Sequence, residues 1–233
     1  MLRSLAARFF VSLSVLTWLP MPAFARVGFA PCVGAYPVVG FLLGVLSALA
    51  FIFALPVWPS SLAVGVALGV LMLLTGGTAE ARVAAAGPRG VVAVVMLQLL
   101  RLIALLELPE ESVPMALLVA LPLAQLAGVA VLFARPMDPQ PQPMHALHPE
   151  AVSHRGRVVA VAFGVLPLFM LTPLELGEVL VTATLVLAAA LMVLRRRKVA
   201  TPAGFHFTVL LIEVAVYLAL NLAWGQPVEE WVS

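Results

Sequence analysis

A chain of 233 residues that is 63% hydrophobic and 10% charged, with a mean hydropathy of +1.12, is too apolar for a soluble domain, where about a quarter of residues are charged. Its solvent is the bilayer, and the expected fold class is all-α, a polytopic integral membrane helix bundle. The net charge of +2 and pI of about 9.2 come from basic residues scattered between apolar runs, which excludes a nucleic-acid surface, and the lone Cys32 excludes an intrachain disulfide or a thiolate metal cluster.

Arg3 and Arg8, the apolar run from Phe9 to Leu19 and the triplet Ala23-Phe24-Ala25 imitate a secretory signal peptide. We read them instead as an amphipathic or re-entrant helix at the membrane, stopped by Pro20 and Pro22. Seven apolar segments follow, approximately Gly34 to Leu55, Ser61 to Leu74, Val91 to Leu106, Pro114 to Ala134, Val158 to Leu171, Val179 to Leu194 and Thr208 to Trp224. Several are shorter than the roughly 20 residues of a perpendicular span, which a helix bundle tolerates. Gly40 and Gly44 put two small residues on one helix face, so that a neighbouring helix can approach closely. The chain reads as one membrane domain: an interfacial segment over 1–30, a bundle over 34–224 and a short external tail over 225–233.

Charge placement tests this division independently, because an odd number of spans puts the termini on opposite sides. With the N-terminus in the cytoplasm, one side receives Arg3, Arg8, Arg26, Arg82, Arg89, Arg135, Arg155, Arg157, Arg195, Arg196, Arg197 and Lys198. The other side receives no basic residue, and its connections are uncharged or carry Glu107, Glu110, Glu111, Glu175, Glu178, Glu229 and Glu230. This is the positive-inside pattern of a bacterial inner-membrane protein with an external C-terminus. The segment Arg135 to Arg157 is broken by Pro136, Pro139, Pro141, Pro143 and Pro149 and is expected to be extended. Its His145, His148 and His154 fit no standard metal-site spacing.

Several landmarks recur in an order that resembles a known family. Val15-Leu16-Thr17-Trp18-Leu19-Pro20-Met21-Pro22 is similar to "FLTRLPVP", and Tyr36-Pro37-Val38-Val39-Gly40-Phe41-Leu42-Leu43-Gly44 to "FPLVGLLLG". Leu73-Leu74-Thr75-Gly76-Gly77 matches "LTGG", and Arg101-Leu102-Ile103-Ala104-Leu105 follows Gly90-Val91-Val92 as "KLxAL" follows "GxxGV". Ala134-Arg135-Pro136 matches "ARP", and Ile212-Glu213-Val214 sits where a last helix has "ELTE". Over nearly its whole length the chain thus resembles the cobalamin synthases, membrane-embedded adenosylcobinamide-GDP ribazoletransferases. The resemblance implies transfer of a phosphocorrinoid group to α-ribazole or its phosphate at the cytoplasmic face, with Mg2+ as cofactor.

One part of the pattern is missing. Where the family has "LHLDGLADTADG" and "DSRIGAFG", this chain runs from Thr78 to Gly90 in a shortened loop without an aspartate, and the only aspartate of the chain is Asp138. A Mg2+ ion that neutralises a pyrophosphate leaving group needs oxygen ligands, and Glu80 alone does not make a cage. The catalytic candidates are Glu80, Arg101 and Glu213. The substrate-binding candidates are Thr75, Gly76, Gly77, Arg82, Arg89, Arg135 and His206, set against ordinary readings: a helix-ending turn for the first three, lipid-facing topology for the arginines and a solvated interfacial site for His206. An ionisable group inside a span is costly. Arg101 and Glu213 are therefore either a buried structural pair that meets inside the bundle or substrate contacts.

Two further function classes stay open beside the transferase. One is an inactive relative that kept the scaffold and works as a partner subunit, in an oligomer with itself or another chain, or as a binder of corrinoid or lipid. The other is a small transporter, which would need polar residues along several spans.

Overall fold

The computed structural model describes residues 2–19, 33–134, 154–195 and 202–224, and among these it is helical with no strand. The helices are α1 (Leu2–Leu16), α2 (Tyr36–Ala54), α3 (Ser60–Thr75), α4 (Thr78–Ala84), α5 (Pro88–Leu106), α6 (Val113–Ala134), α7 (His154–Val165), α8 (Pro173–Arg195) and α9 (Pro202–Trp224). Proline stands in the first turn of α2, α5, α8 and α9, where its fixed φ suits the helix and its missing N–H leaves no bond unmade.

The core forms where α2, α6 and α9 pack side by side. Gly40 and Gly44 explain the first contact: a Cβ on Gly40 would come within 2.8 Å of the Leu121 carbonyl oxygen, and one on Gly44 within 2.9 Å of that of Leu117. Higher numbers on α2 meet lower numbers on α6, so the two helices are antiparallel. Their small residues let the backbones nearly touch, as the sequence spacing predicted.

Contacts between distant residues define two ends. At one end Trp18 N–H donates to the Leu74 carbonyl, the Tyr36 and Phe205 rings stand 5.9 Å apart, and Gly34 abuts Gly156. At the other, Trp224 Nε1 donates to Glu175 and Asn221 Nδ2 to the Ala104 carbonyl. The chain therefore runs back and forth between an end bearing Arg82, Arg89 and Arg157 and an end bearing Glu107, Glu110, Glu111, Glu175 and Glu178. The outer faces of α5 and α8 expose Val95, Leu99, Ile103, Val181, Leu185 and Met192, as lipid-facing helices do. This is a multi-pass membrane protein.

The count of seven spans is not confirmed. Five helical stretches are long and apolar enough to cross a bilayer, and the pair α3 and α4, bent by 76°, makes a sixth if it is one broken span. The stretch Gly156–Met170 is apolar but short, its last five residues wound as a 3₁₀ helix from Leu166 to Met170. The N-terminal element is a helix, as expected, and it ends at Leu16, before Pro20. It is built into the bundle: Leu13, Val15 and Leu16 belong to the main core, and α1 packs on α2.

Candidate functional site

The break between α3 and α4 is where the chain departs from its expected pattern. Gly76 and Gly77 hold φ of 61° and 60°, a left-handed conformation that glycine alone adopts without penalty. Their amides turn back on α3, Gly76 N–H to the Leu73 carbonyl and Gly77 N–H to that of Met72, and the Thr75 hydroxyl bonds the Leu71 carbonyl. The three candidates Thr75, Gly76 and Gly77 are thus spent on closing a helix in the manner of a C-terminal cap. Trp18 clamps this turn from outside: a Cβ on Gly76 would lie 2.9 Å from the Trp18 Cβ.

After the turn, α4 wedges between α5 and α9. Val83, Leu97, Leu210 and Val214 form a small separate core there, and helical spacing then decides which polar residues meet. On α9, Glu213, Tyr217 and Asn221 recur every four residues and share one face, with His206 two turns earlier. On α5, Gln98, Arg101 and the Ala104 carbonyl lie on the facing side.

Arg101 and Glu213 are 3% and 2% exposed, and their side chains pair with Nη2 2.6 Å from Oε1. Tyr217 donates its hydroxyl to the same Glu213 oxygen at 2.9 Å. Asn221 Nδ2 reaches the Ala104 carbonyl at 2.6 Å and fastens the C-terminal part of α9 to α5. Gln98 donates to Glu80 Oε1 at 2.7 Å, and Glu80 stands near enough to act electrostatically on both Arg101 and Glu213.

The pair lies about 20 Å along α5 and about 17 Å along α9 from the first residues of those helices, at 1.5 Å per residue. Both helices begin several residues earlier than their apolar runs. The two charges therefore sit level, with no need for the arginine to stretch.

The remaining candidates divide. Arg82 is half-buried on α4 and acts electrostatically on His206. His206 is 2% exposed, with its ring 4.9 Å from that of Phe205 in an edge-on contact. A solvated interfacial position for His206 is therefore corrected: near the start of α9, Phe205 and His206 are buried in the bundle. Arg89 is exposed in the first turn of α5, away from the pair. Arg135, Asp138, Glu150, His145 and His148 lie outside the described residues.

Tyr217, Asn221 and Gln98 were not singled out from the sequence. For Tyr217 and Asn221 the signal was present in their four-residue spacing from Glu213 along the last helix.

Among the described residues no group of three or more His, Cys, Asp or Glu side chains stands together in a way that could hold a metal ion. The two carboxylates of this corner are engaged, Glu213 with Arg101 and Tyr217 and one Glu80 oxygen with Gln98. This donor set does not fit Mg2+, which asks for near-octahedral oxygen ligation.

The sequence matches the family model "Cobalamin-5-phosphate synthase" over residues 8–80 and 84–221. The chain belongs to the cobalamin-5-phosphate synthase family. The only interruption in the match to the cobalamin-5-phosphate synthases, residues 81–83, falls inside α4, in the stretch from which the aspartates are missing. A curated relative, the adenosylcobinamide-GDP ribazoletransferase of Leptothrix cholodnii, is 39% identical over 80 residues, which is 32% of this chain and 30% of the relative. The match to that relative thus spans less than a third of its length. No solved structure matches the chain.

Proposed function

We propose that this chain serves the step in which adenosylcobinamide-GDP is joined to α-ribazole or its phosphate, as a membrane-embedded family member that holds the corrinoid for a partner subunit without itself carrying out the Mg2+-dependent transfer. The observation that carries this reading is the state of Glu80. It is the one carboxylate in the stretch that stands where the family resemblance implies an aspartate-rich motif, and it accepts a hydrogen bond from Gln98 in a half-buried setting beside a closed ion pair. Among the described residues no second free carboxylate stands beside Glu80 to help hold a metal that would neutralise a pyrophosphate leaving group. The protein would sit in the bacterial inner membrane with its basic end and N-terminus in the cytoplasm and its C-terminus outside, where positive-inside topology puts them. Membrane lipid and a partner copy or second subunit complete its surroundings.

The transfer by this chain alone is the second reading, favoured by the convergence of Glu80, Arg101 and Glu213 on one corner and by the name of the curated relative. Binding of adenosylcobinamide-GDP to the purified protein, measured with Mg2+ and then with a chelator, separates the two. Binding that does not change with Mg2+ supports a holding role. Affinity that collapses on chelation means a metal site exists, and the first reading fails.

A further inference from the structure

Helix α4 is the least secured element of the polar corner. With seven residues it is the shortest α-helix among the described residues, and a helix of that length does not hold without tertiary support. Its N-cap is Gly77, which offers the first turn no side-chain hydrogen bond. Glycines with positive φ flank it, Gly77 at 60° and Gly87 at 104°, and a Cβ on either would meet nothing within 4 Å. Gly76, by contrast, lies under Trp18, whose N–H donates to the Leu74 carbonyl, so α3 is fixed up to the turn. The support of α4 is local: the core of Val83, Leu97, Leu210 and Val214, the hydrogen bond from Gln98 to Glu80, and the Val83 carbonyl seated against Gly90.

What α4 covers works against it. Glu80 Oε2 on α4, Arg101 Nε on α5 and His206 Nε2 on α9 are buried and have no hydrogen-bond partner among the described residues. Charged and titratable groups of all three helices meet there: Glu80 acts on Arg101 and Glu213, and Arg82 of α4 acts on His206. An unpartnered polar atom is penalised while it stays buried and is relieved once water reaches it. Closing α4 therefore sets a four-residue apolar core and one hydrogen bond to a carboxylate against three unpartnered polar atoms. The helices beneath do not depend on α4, because Ala104 and Leu105 of α5 and Ile212 and Val216 of α9 belong to the main core.

We propose that α4 is a gate, which opens by unwinding locally between Gly77 and Gly87 while the other helices stay packed, and which in its open state lets water and solutes from the basic end reach Arg101, Glu213 and His206. The gate does not rest on the holding role proposed above, since the balance over α4 is the same whichever solute enters. A ligand that touches Arg101 or Glu213 does so through the open state, and its apparent affinity is lowered by the fraction of molecules that are open.

The test uses the purified full chain in lipid nanodiscs, with Cys32→Ser to remove the native thiol. A single thiol is introduced beneath α4 by Leu210→Cys or, as the reference, in the α2–α6 core by Leu117→Cys, and its reaction with a water-soluble maleimide is timed. Local opening predicts that the thiol at 210 reacts at least about tenfold faster than that at 117. Gly77→Ala penalises only the closed, left-handed turn, and Gln98→Ala removes the bond to Glu80. Each is expected to speed the reaction at 210 by about tenfold and to leave 117 unchanged. Amide hydrogen exchange of the chain without introduced thiols repeats the measurement, with residues 78–86 expected to exchange ahead of the middle of α5 and α9, and further ahead in Gly77→Ala. Equal rates at 210 and 117, acceleration of both sites together, no acceleration in either variant, or amides of α4 that exchange no faster than those of α5 overturn the proposal.

Discussion

At the scale of single residues, the fate of Arg101 and Glu213 decides how the polar interior is understood. Two charges that are each almost fully buried lose their hydration and are compensated by one another and by Tyr217, while Glu80 nearby favours Arg101 and opposes Glu213. Removing either partner strands the other in a low-dielectric interior, at a cost of about 3–5 kcal/mol. Arg101→Met and Glu213→Gln are therefore each expected to lower thermal stability in detergent sharply, and the double variant to lose much less than the sum. Strictly additive losses would mean that the two do not interact. Tyr217→Phe deletes only the hydroxyl bond to a charged acceptor, and its expected cost is about 1.5–3 kcal/mol, read from the same melting curves. The pair was legible in the sequence because an ionisable residue within an apolar run needs an opposite charge, and each span offered one. Tyr217 and Asn221 were less visible, since a tyrosine and an asparagine in a membrane helix are common enough to pass as packing until the helix phase sets them in line with Glu213.

At the scale of elements, the close approach of α2 to α6 and the wedge of α4 position everything else. Gly40→Ala would drive a methyl group to 2.8 Å from the Leu121 carbonyl and 3.0 Å from the Pro122 Cα, backbone atoms that move only if the helices part. The expected loss is about 1–3 kcal/mol. Gly65→Ala is the control: nothing lies within 4 Å of its added methyl, and the gain in helix propensity makes it neutral or stabilising by up to about 1 kcal/mol. Melting curves showing both substitutions equally harmful would contradict the tight α2–α6 contact.

The small-residue spacing on α2 announced this packing, and apolar runs announced most helices to within a few residues. The break at Gly76-Gly77 was legible as a turn. Its consequence was not, because the sequence holds no signal that α4 folds back at 76° to put Glu80 beside Gln98. Nor did composition reveal that α1 packs into the core: the buried contacts of Leu13, Val15 and Leu16 depend on partners far along the chain. His206 was misjudged for the same reason, its position near the start of α9 pointing to water while tertiary contacts cover it.

At the scale of the whole molecule, the separation of basic and acidic residues to opposite ends agrees with the direction of each helix, and it gives the orientation in the membrane that we propose. Reporter fusions after Pro109 and Pro173, beside Glu110, Glu111 and Glu175, are expected to score external, and a cytoplasmic score at both would reverse the arrangement. The family match covers almost the entire chain, while the stretch where the resemblance implies an aspartate-rich motif is here a short helix with one carboxylate. On the reading proposed above, the molecule keeps the scaffold of the family and leaves the transfer to a partner. The most direct measurement is an in vitro assay of the purified protein with adenosylcobinamide-GDP, α-ribazole and Mg2+, following formation of the joined product. The expected result is no turnover above the protein-free control, whereas Mg2+-dependent turnover that disappears in Glu80→Ala would show that a working site stands in α4 and would contradict the account.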